Sequence, residues 1–224
     1  CGVRPGADSR AAACRGDWMK SRLQRGRVKE CHGDLHSSNI VRLESGLTAF
    51  DCLEFEPAFR CLDVADEVAF LLADLEALVR PVHAQAFLSG NLAQSADFDA
   101  CTFLRIYQAH RSLVRAKVDA VSAPDAVTAS CGVDAHLNCA QRSVQPRRPV
   151  LILMSGLSGS EKTWLAQRLY SPESTHRLYQ HLAKAAESTL RGGFTTVVDA
   201  TFSSRDVRVR FRVLAQELRV PRVC

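Results

Sequence analysis

The string His32-Gly33-Asp34-Leu35-His36-Ser37-Ser38-Asn39, with Asp51 following in Ala49-Phe50-Asp51-Cys52, constrains this chain more than any other feature. Ile40-Val41-Arg42-Leu43 and Leu47-Thr48-Ala49-Phe50 read as two short strands around the turn Glu44-Ser45-Gly46, because β-branched and apolar runs bounded by Gly and Ser are hairpin signals. A hairpin returns the second strand along the first. Asn39 enters the first strand and Asp51 leaves the second, so both are expected at its open end, with Asp34 just upstream at the same mouth. Three oxygen-bearing side chains then converge with no lysine among them. Such a donor set suits Mg²⁺, a hard cation that keeps several waters and shares its shell with substrate phosphates. Taken singly, Asp34 and Asn39 also read as turn residues and Asp51 as a strand end.

An aspartate, an asparagine five residues on and a second aspartate twelve after that is the spacing of a kinase catalytic loop and its metal-binding aspartate. In that chemistry the protein orients a hydroxyl and neutralises phosphate oxygens. Asp34 would accept or orient the acceptor hydroxyl, while Asn39 and Asp51 would hold Mg²⁺ on the phosphates of ATP. With His32-Gly33-Asp34 the chain resembles the aminoglycoside phosphotransferase family, in which His-Gly-Asp replaces the His-Arg-Asp of protein kinases. Val28-Lys29-Glu30-Cys31, Phe50-Asp51-Cys52-Leu53-Glu54-Phe55 and Asp63-Val64-Ala65 extend the likeness to a bacterial subgroup. There a phosphotransferase-like domain is fused to a P-loop kinase-like domain of the AAA or zeta-toxin type. The resemblance covers about residues 18 to 220. It implies a supporting place for His32 and, for Asp63, a hydrogen bond to the catalytic-loop backbone. Asp63 equally reads as a helix N-terminal acid favoured by the dipole.

The second half opens with the apolar run Val150-Leu151-Ile152-Leu153-Met154, a buried parallel strand by length and flanks. Gly156-Leu157-Ser158-Gly159-Ser160-Glu161-Lys162-Thr163 follows, then a helix to Leu169. Strand, glycine-rich loop and helix form the context of a P-loop. Gly156, Ser158, Gly159, Ser160, Lys162 and Thr163 are its candidate nucleotide-binding residues. The second glycine of the pattern is Glu161, which adds a Cβ and a negative charge beside a polyanion. Two unit charges about 5 Å apart repel by roughly 3 kcal/mol at an effective dielectric near 20. A further helix from Ser174 to Arg191 stops at Gly192-Gly193. Thr195 to Thr201 reads as a second parallel strand, and Arg205 to Leu218 as a final helix. Asp199 and Arg208 match the family's Asp-Ala-Thr-Phe and following Arg, which implies a metal-side or acceptor-side role for Asp199.

Between the two motifs, residues 62–80 and Phe98 to Val121 show helical periodicity. Residues 122–148 read as a weak helix and then a linker, with the boundary near Pro146 to Pro149. Trp18 to Arg25 reads as a short helix. Residues 1–16 lack periodicity and are expected to be disordered.

Composition narrows the classes. At 46% hydrophobic and 24% charged over 224 residues, the chain is globular. It has no apolar run long enough for a membrane span. The nine cysteines include no Cys-x-x-Cys and are odd in number, so zinc and a disulfide framework are not expected. Free, mostly buried thiols in a reducing cytoplasm are. The net charge of +5 gathers at the ends: residues 1–30 hold eight Lys and Arg against three acids, and residues 201–224 six against two. No aromatic interleaving accompanies it, so a solvated basic face is expected rather than nucleic acid.

The expected fold is therefore mixed α/β. Residues 1–17 form an arm and 18–145 a partial kinase-like C-lobe, mostly helical with a catalytic hairpin. Residues 146–224 form a partial P-loop α/β domain with parallel strands. The expected cofactors are ATP and Mg²⁺, with a nucleotide and an unidentified small hydroxyl compound as partners and no membrane. The thirty residues before the motif cannot build a glycine-rich β lobe. The P-loop segment is short of an acceptor-binding insertion and a lid. Truncation at both ends is thus expected, with phosphoryl transfer weak or lost. Two alternatives stay open: a catalytically dead fragment kept as a nucleotide-binding scaffold, and a nucleic-acid-associated protein using its basic ends.

Overall fold

The computed structural model describes residues 16–122, 126–154, 172–200, 202 and 204–223. The fold is mixed α/β, and the chain divides into two compact units. One comprises residues 1–87 and 107–140, the other residues 88–106 and 141–224.

The first unit begins with helix α1, described over 16–24, and strand β1 (Val28–Glu30). A loop carrying the His-Gly-Asp string ends in a 3-10 turn, Ser37–Asn39. The hairpin follows as β2 (Ile40–Leu43) and β3 (Gly46–Ala49), with Ile40 opposite Ala49 and Leu43 opposite Gly46. The turn is tighter than the sequence suggests. Gly46 belongs to the second strand, at a φ of 127°, a conformation that favours glycine.

Strand β4 (Cys61–Asp63) pairs antiparallel with β1, Val28 facing Asp63. This pairing takes Leu62 out of the helix expected over 62–80 and delays helix α2 to Val64–Ala77. Asp63 caps α2 by accepting the Ala65 amide at 2.8 Å, and Asp66 and Glu67 occupy the first turn, where the dipole favours acids. Ala65, Ala69, Phe70, Leu72 and Ala73 are almost fully buried. A helix apolar on most sides is a core helix, and its alanines allow close approach.

Helix α3 (Pro81–Ser95) was not foreseen. Proline is tolerated at a first helical position because its missing amide donor is an orphan there anyway. Helix α4 (Cys101–Ser122) follows a 3-10 turn at Phe98–Ala100, which shortens the helix expected from Phe98. Helix α5 (Ala126–Val144) occupies much of the segment read as weak helix and linker. Cys139 of α5 packs with Ala73 and Ala77 of α2.

The second unit holds a parallel sheet of β5 (Leu151–Met154) flanked by β6 (Thr196–Asp199) and β7 (Arg222–Val223). Leu151 lies opposite both Thr196 and Arg222. Two parallel strands were expected, and β7 adds a third on the other side of β5. Helices α6 (Pro172–Arg191) and α7 (Arg205–Glu217) accompany the sheet. Leu151, Leu153, Tyr179, Leu190, Val198, Phe202, Phe211 and Leu214 form one buried cluster. Phe211, Leu214 and Ala215 lie at i, i+3 and i+4 on α7, so one stripe is apolar while the arginines face out. After α6 the chain turns at Gly193, with φ of 81°. A Cβ on Gly192 would sit 2.1 Å from the Cys101 carbonyl oxygen, so this close approach requires glycine.

Six cysteines among the described residues are free. Only Cys101 and Cys139 are buried, and Cys61 and Cys131 are exposed, so thiol burial is less general than expected. No helix among the described residues is long and apolar enough to cross a membrane.

Candidate functional site

In the first unit the hairpin and its preceding loop bring Asp34, Asn39 and Asp51 to one end. Asn39 is buried. Its Nδ2 donates to the Asp34 carbonyl oxygen at 3.0 Å, with the Asp34 carboxylate at 3.4 Å and the Asp51 carbonyl at 3.5 Å. The side-chain amide therefore ties together the loop entry and the exit of β3. Its Oδ1 is the atom left over for a cation. Asp51 is exposed at this mouth with a φ of 59°, a left-handed conformation that aspartate tolerates better than most residues.

His32 is a structural link. Its Nε2 donates to the Phe50 carbonyl at 2.8 Å. That tautomer leaves Nδ1 to accept the Asp34 amide at 3.4 Å. Gly33 has φ of 85°, and a Cβ there would lie 3.1 Å from Leu53 Cβ. The His-Gly-Asp sequence thus has a local geometric reason at each position. His36 Nε2 lies 3.5 Å from Asp34 Oδ2. The His36 ring holds the Asp34 carboxyl below the usual carboxylate range, against the opposing effect of its partial burial. An ionised Asp34 is an acceptor only, as orienting a hydroxyl proton requires.

Sequence reading did not find the carboxylates that hold the loop backbone. Glu67 accepts the Gly33 amide at 3.0 Å and Asp74 accepts the Ser37 amide at 2.8 Å. Both project from α2. Burial pushes the Glu67 carboxyl up, and the Gly33 amide partly offsets that. Asp63 has other partners: Arg22 donates to its carboxylate at 2.5 and 2.7 Å, and Ala65 takes the cap. Of the two readings open for Asp63, the helix N-terminal acid describes these bonds. Arg111 of α4 makes a two-pronged pair with Asp66 at 2.8 and 2.9 Å and lies 4.7 Å over the Phe70 ring. The only sequence signal for Glu67, Asp74 and Arg111 was their place on amphipathic helices, which does not say what they face.

No group of three or more His, Cys, Asp or Glu side chains among the described residues could hold a metal ion. An Asn39–Asp51 pair is a smaller donor set, of the kind that holds Mg²⁺ together with phosphate oxygens and water.

In the second unit, Gly156, Ser158, Gly159, Ser160, Glu161, Lys162 and Thr163 lie outside the described residues. Asp199 is exposed at the carboxyl end of β6, opposite Met154 at the end of β5. Arg208 Nη1 donates to the Phe202 carbonyl at 2.5 Å, which ties α7 to the chain leaving β6. Ligands of parallel sheets bind at such carboxyl ends.

Residues 168–224 match a family described as an AAA domain. The match lies on α6, β6, α7 and β7 and begins beyond Thr163. Uncharacterized protein Rv2004c of Mycobacterium tuberculosis and uncharacterized protein Mb2027c of Mycobacterium bovis are each 28% identical over 239 residues, covering 88% of this chain. The chain spans about half the length of the curated relatives it matches, 47% in both cases. No solved structure matches the chain. The part of the chain that carries the two outer strands of the parallel sheet and its two helices is thus similar to an AAA domain.

Proposed function

We propose that the chain belongs to an ATP- and Mg²⁺-dependent phosphotransferase acting on a small-molecule hydroxyl, with a kinase-like unit of the aminoglycoside phosphotransferase type followed by a P-loop unit. The observation that carries this reading is the Asn39 amide, which links Asp34 to the exit of β3 where Asp51 stands. It supports Asp34 as the residue that orients the acceptor hydroxyl. Asn39 Oδ1 and the Asp51 carboxylate are the groups that would hold Mg²⁺, which supplies charge neutralisation on the transferring phosphates. The AAA-domain match over residues 168–224 supports nucleotide binding in the second unit. In this reading Lys162 and Thr163, which precede the matched residues, bind the phosphates, and Asp199 and Arg208 stand at the sheet's carboxyl end. Glu161 weakens that binding, since its charge opposes the polyanion. The acceptor is an alcohol of unspecified class, because a shared fold hosts many substrates.

Calorimetry of Mg²⁺-ATP binding, with Asp51→Ala and Lys162→Ala in parallel, tests this. Binding lost in Asp51→Ala supports a nucleotide on the first unit. Binding lost only in Lys162→Ala places the nucleotide on the second. In that case Glu161→Gly should tighten it. Absence of binding to the intact chain overturns the proposal in favour of a scaffold without nucleotide.

A further inference from the structure

We propose that the second unit carries a second anion site, separate from residues 156–163, which takes a small ligand bearing two or more phosphate groups among Arg105, Arg147, Arg148, Arg191 and Arg219. These side chains line one cavity of about 880 Å³, a size suited to a small-molecule ligand. No carboxylate among the described residues lines it. Pro149 and Pro221, also in its wall, precede β5 and β7. The cavity therefore lies toward the amino ends of these strands, whereas residues 156–163 follow the carboxyl end of β5.

The five guanidiniums differ in how they are held. Arg105 is anchored, with Nη2 donating to the Gln145 carbonyl at 2.7 Å and the Arg142 carbonyl at 3.1 Å. Gly193 makes room for it, since a Cβ there would lie 2.9 Å from Arg105 Nη1. Arg191 pairs with Glu187 at 2.7 Å. Arg147, Arg148 and Arg219 form no ion pair among the described residues. Arg147, Arg148 and Arg219 thus bring three positive charges to the cavity wall beside the anchored Arg105 and the paired Arg191. Guanidinium forks match phosphate oxygens two at a time, and several phosphates are needed to balance this charge.

Helix ends explain only part of the cluster. Arg191 closes α6 and Arg219 follows α7, where the dipole favours cations. Arg147 and Arg148 stand instead in the segment leading to β5. Arg219 also occupies a costly position. Its amide donates to Gln216 and the Val220 amide to Ala215, the paired bonds of a helix stop whose left-handed residue is ordinarily glycine. Arg219 has φ of 52° there. Its exposed side chain lines the cavity from this left-handed position.

The test is calorimetry of inorganic tripolyphosphate on the Lys162→Ala chain without Mg²⁺, so that the P-loop does not contribute. The second protein adds Arg147→Ser, Arg148→Ser and Arg219→Ser, all exposed positions. At least tenfold weaker binding, with inorganic phosphate bound far less well than tripolyphosphate by the parent, supports the site. Should the triple variant lose its fold by circular dichroism, the Arg→Lys triple keeps the charge and should still weaken binding several-fold. Equal affinity in parent and variants overturns the proposal, as does no binding at millimolar ligand. Binding of single-stranded RNA without binding of tripolyphosphate overturns it in favour of a nucleic-acid face. None of these outcomes depends on whether ATP binds at Lys162 or Asp51.

Discussion

Asn39 Nδ2 donates to the backbone carbonyl of Asp34 at 3.0 Å, so the residue that begins the hairpin also sets the shape of the loop before it. Five residues apart in the chain, the two are joined side chain to backbone, and the Asp51 carbonyl lies within 3.5 Å of the same nitrogen. Replacing Asn39 with Ala removes one of two donors to the part-buried Asp34 carbonyl, which keeps the His36 amide at 3.1 Å. A loss of about 0.5–1.5 kcal/mol is expected, read as a lower urea midpoint with unchanged slope. Asn39→Asp should cost at least as much, because a carboxylate cannot donate and would face Asp34. Wild-type midpoints in both variants would remove Asn39 as the loop's organiser.

Gly33 is the second fixed point of the loop. Its φ of 85° and the 3.1 Å approach to Leu53 Cβ act together. Gly33→Ala is expected to destabilise by more than 1 kcal/mol, since strain at positive φ adds to the contact. The Gly33 amide would also shift away from Glu67. Thermal unfolding measures this, and an unchanged melting temperature would show that the loop relaxes freely.

His136 of α5 should make the first unit's stability depend on pH. Its Nδ1 is 2.8 Å from Asp119 Oδ2 and its Nε2 is 3.7 Å from Asp74 Oδ1. The second distance is that of an ion pair rather than a hydrogen bond. Asp74 first, and then Asp119, raise His136 above its ordinary 6.5, against burial. A raised value means the folded state binds the proton more tightly than the unfolded one. The stabilisation is fully present below 6.5 and is lost as pH rises through the raised folded value. Burial alone would raise Asp74, but His136 and Ser37 outweigh it and hold that carboxyl at about 2. Its contribution is present above the ordinary 3.8 and fades as pH falls through about 2. Urea midpoints should therefore fall from about pH 6.5 upward in the wild type, and His136→Gln should flatten that slope. Parallel profiles for the two proteins would refute the linkage.

In the second unit the Tyr179 hydroxyl accepts the Phe202 amide at 3.1 Å, and both residues are buried. Phe202 holds a φ of 46° and packs edge-on against Phe211 at 5.3 Å. Tyr179→Phe keeps the ring and removes the acceptor. The orphaned amide should cost about 1–3 kcal/mol, with faster hydrogen exchange at Phe202. Exchange as slow as in the wild type would mean another acceptor has replaced the hydroxyl.

The features legible in the chain were those written in adjacent residues. The hairpin could be read because β-branched residues alternate around a short turn, and β5 because its apolar run is uninterrupted. The helices α2, α6 and α7 could be read from their spacing. Their ends were less legible. Leu62 fits the helical period of its neighbours, and only pairing with Lys29 of β1 makes it a strand residue. Helix α3 was missed because its apolar positions form no clear stripe. Strand β7 was missed because two residues beside a parallel neighbour carry no period of their own.

By itself the sequence determined that Asp34, Asn39 and Asp51 meet at one end of a hairpin, because that juxtaposition follows from alternation and turn length within twenty residues. It also determined a parallel strand leading into the glycine-rich segment. Which carboxylates hold the loop was decided only by the tertiary structure. Glu67 and Asp74 reach Gly33 and Ser37 from a helix more than thirty residues on, while Asp63 turns to Arg22. Helical periodicity tells which residues share a face. It does not tell what that face meets, because packing and the satisfaction of buried amides are settled between elements distant in the chain.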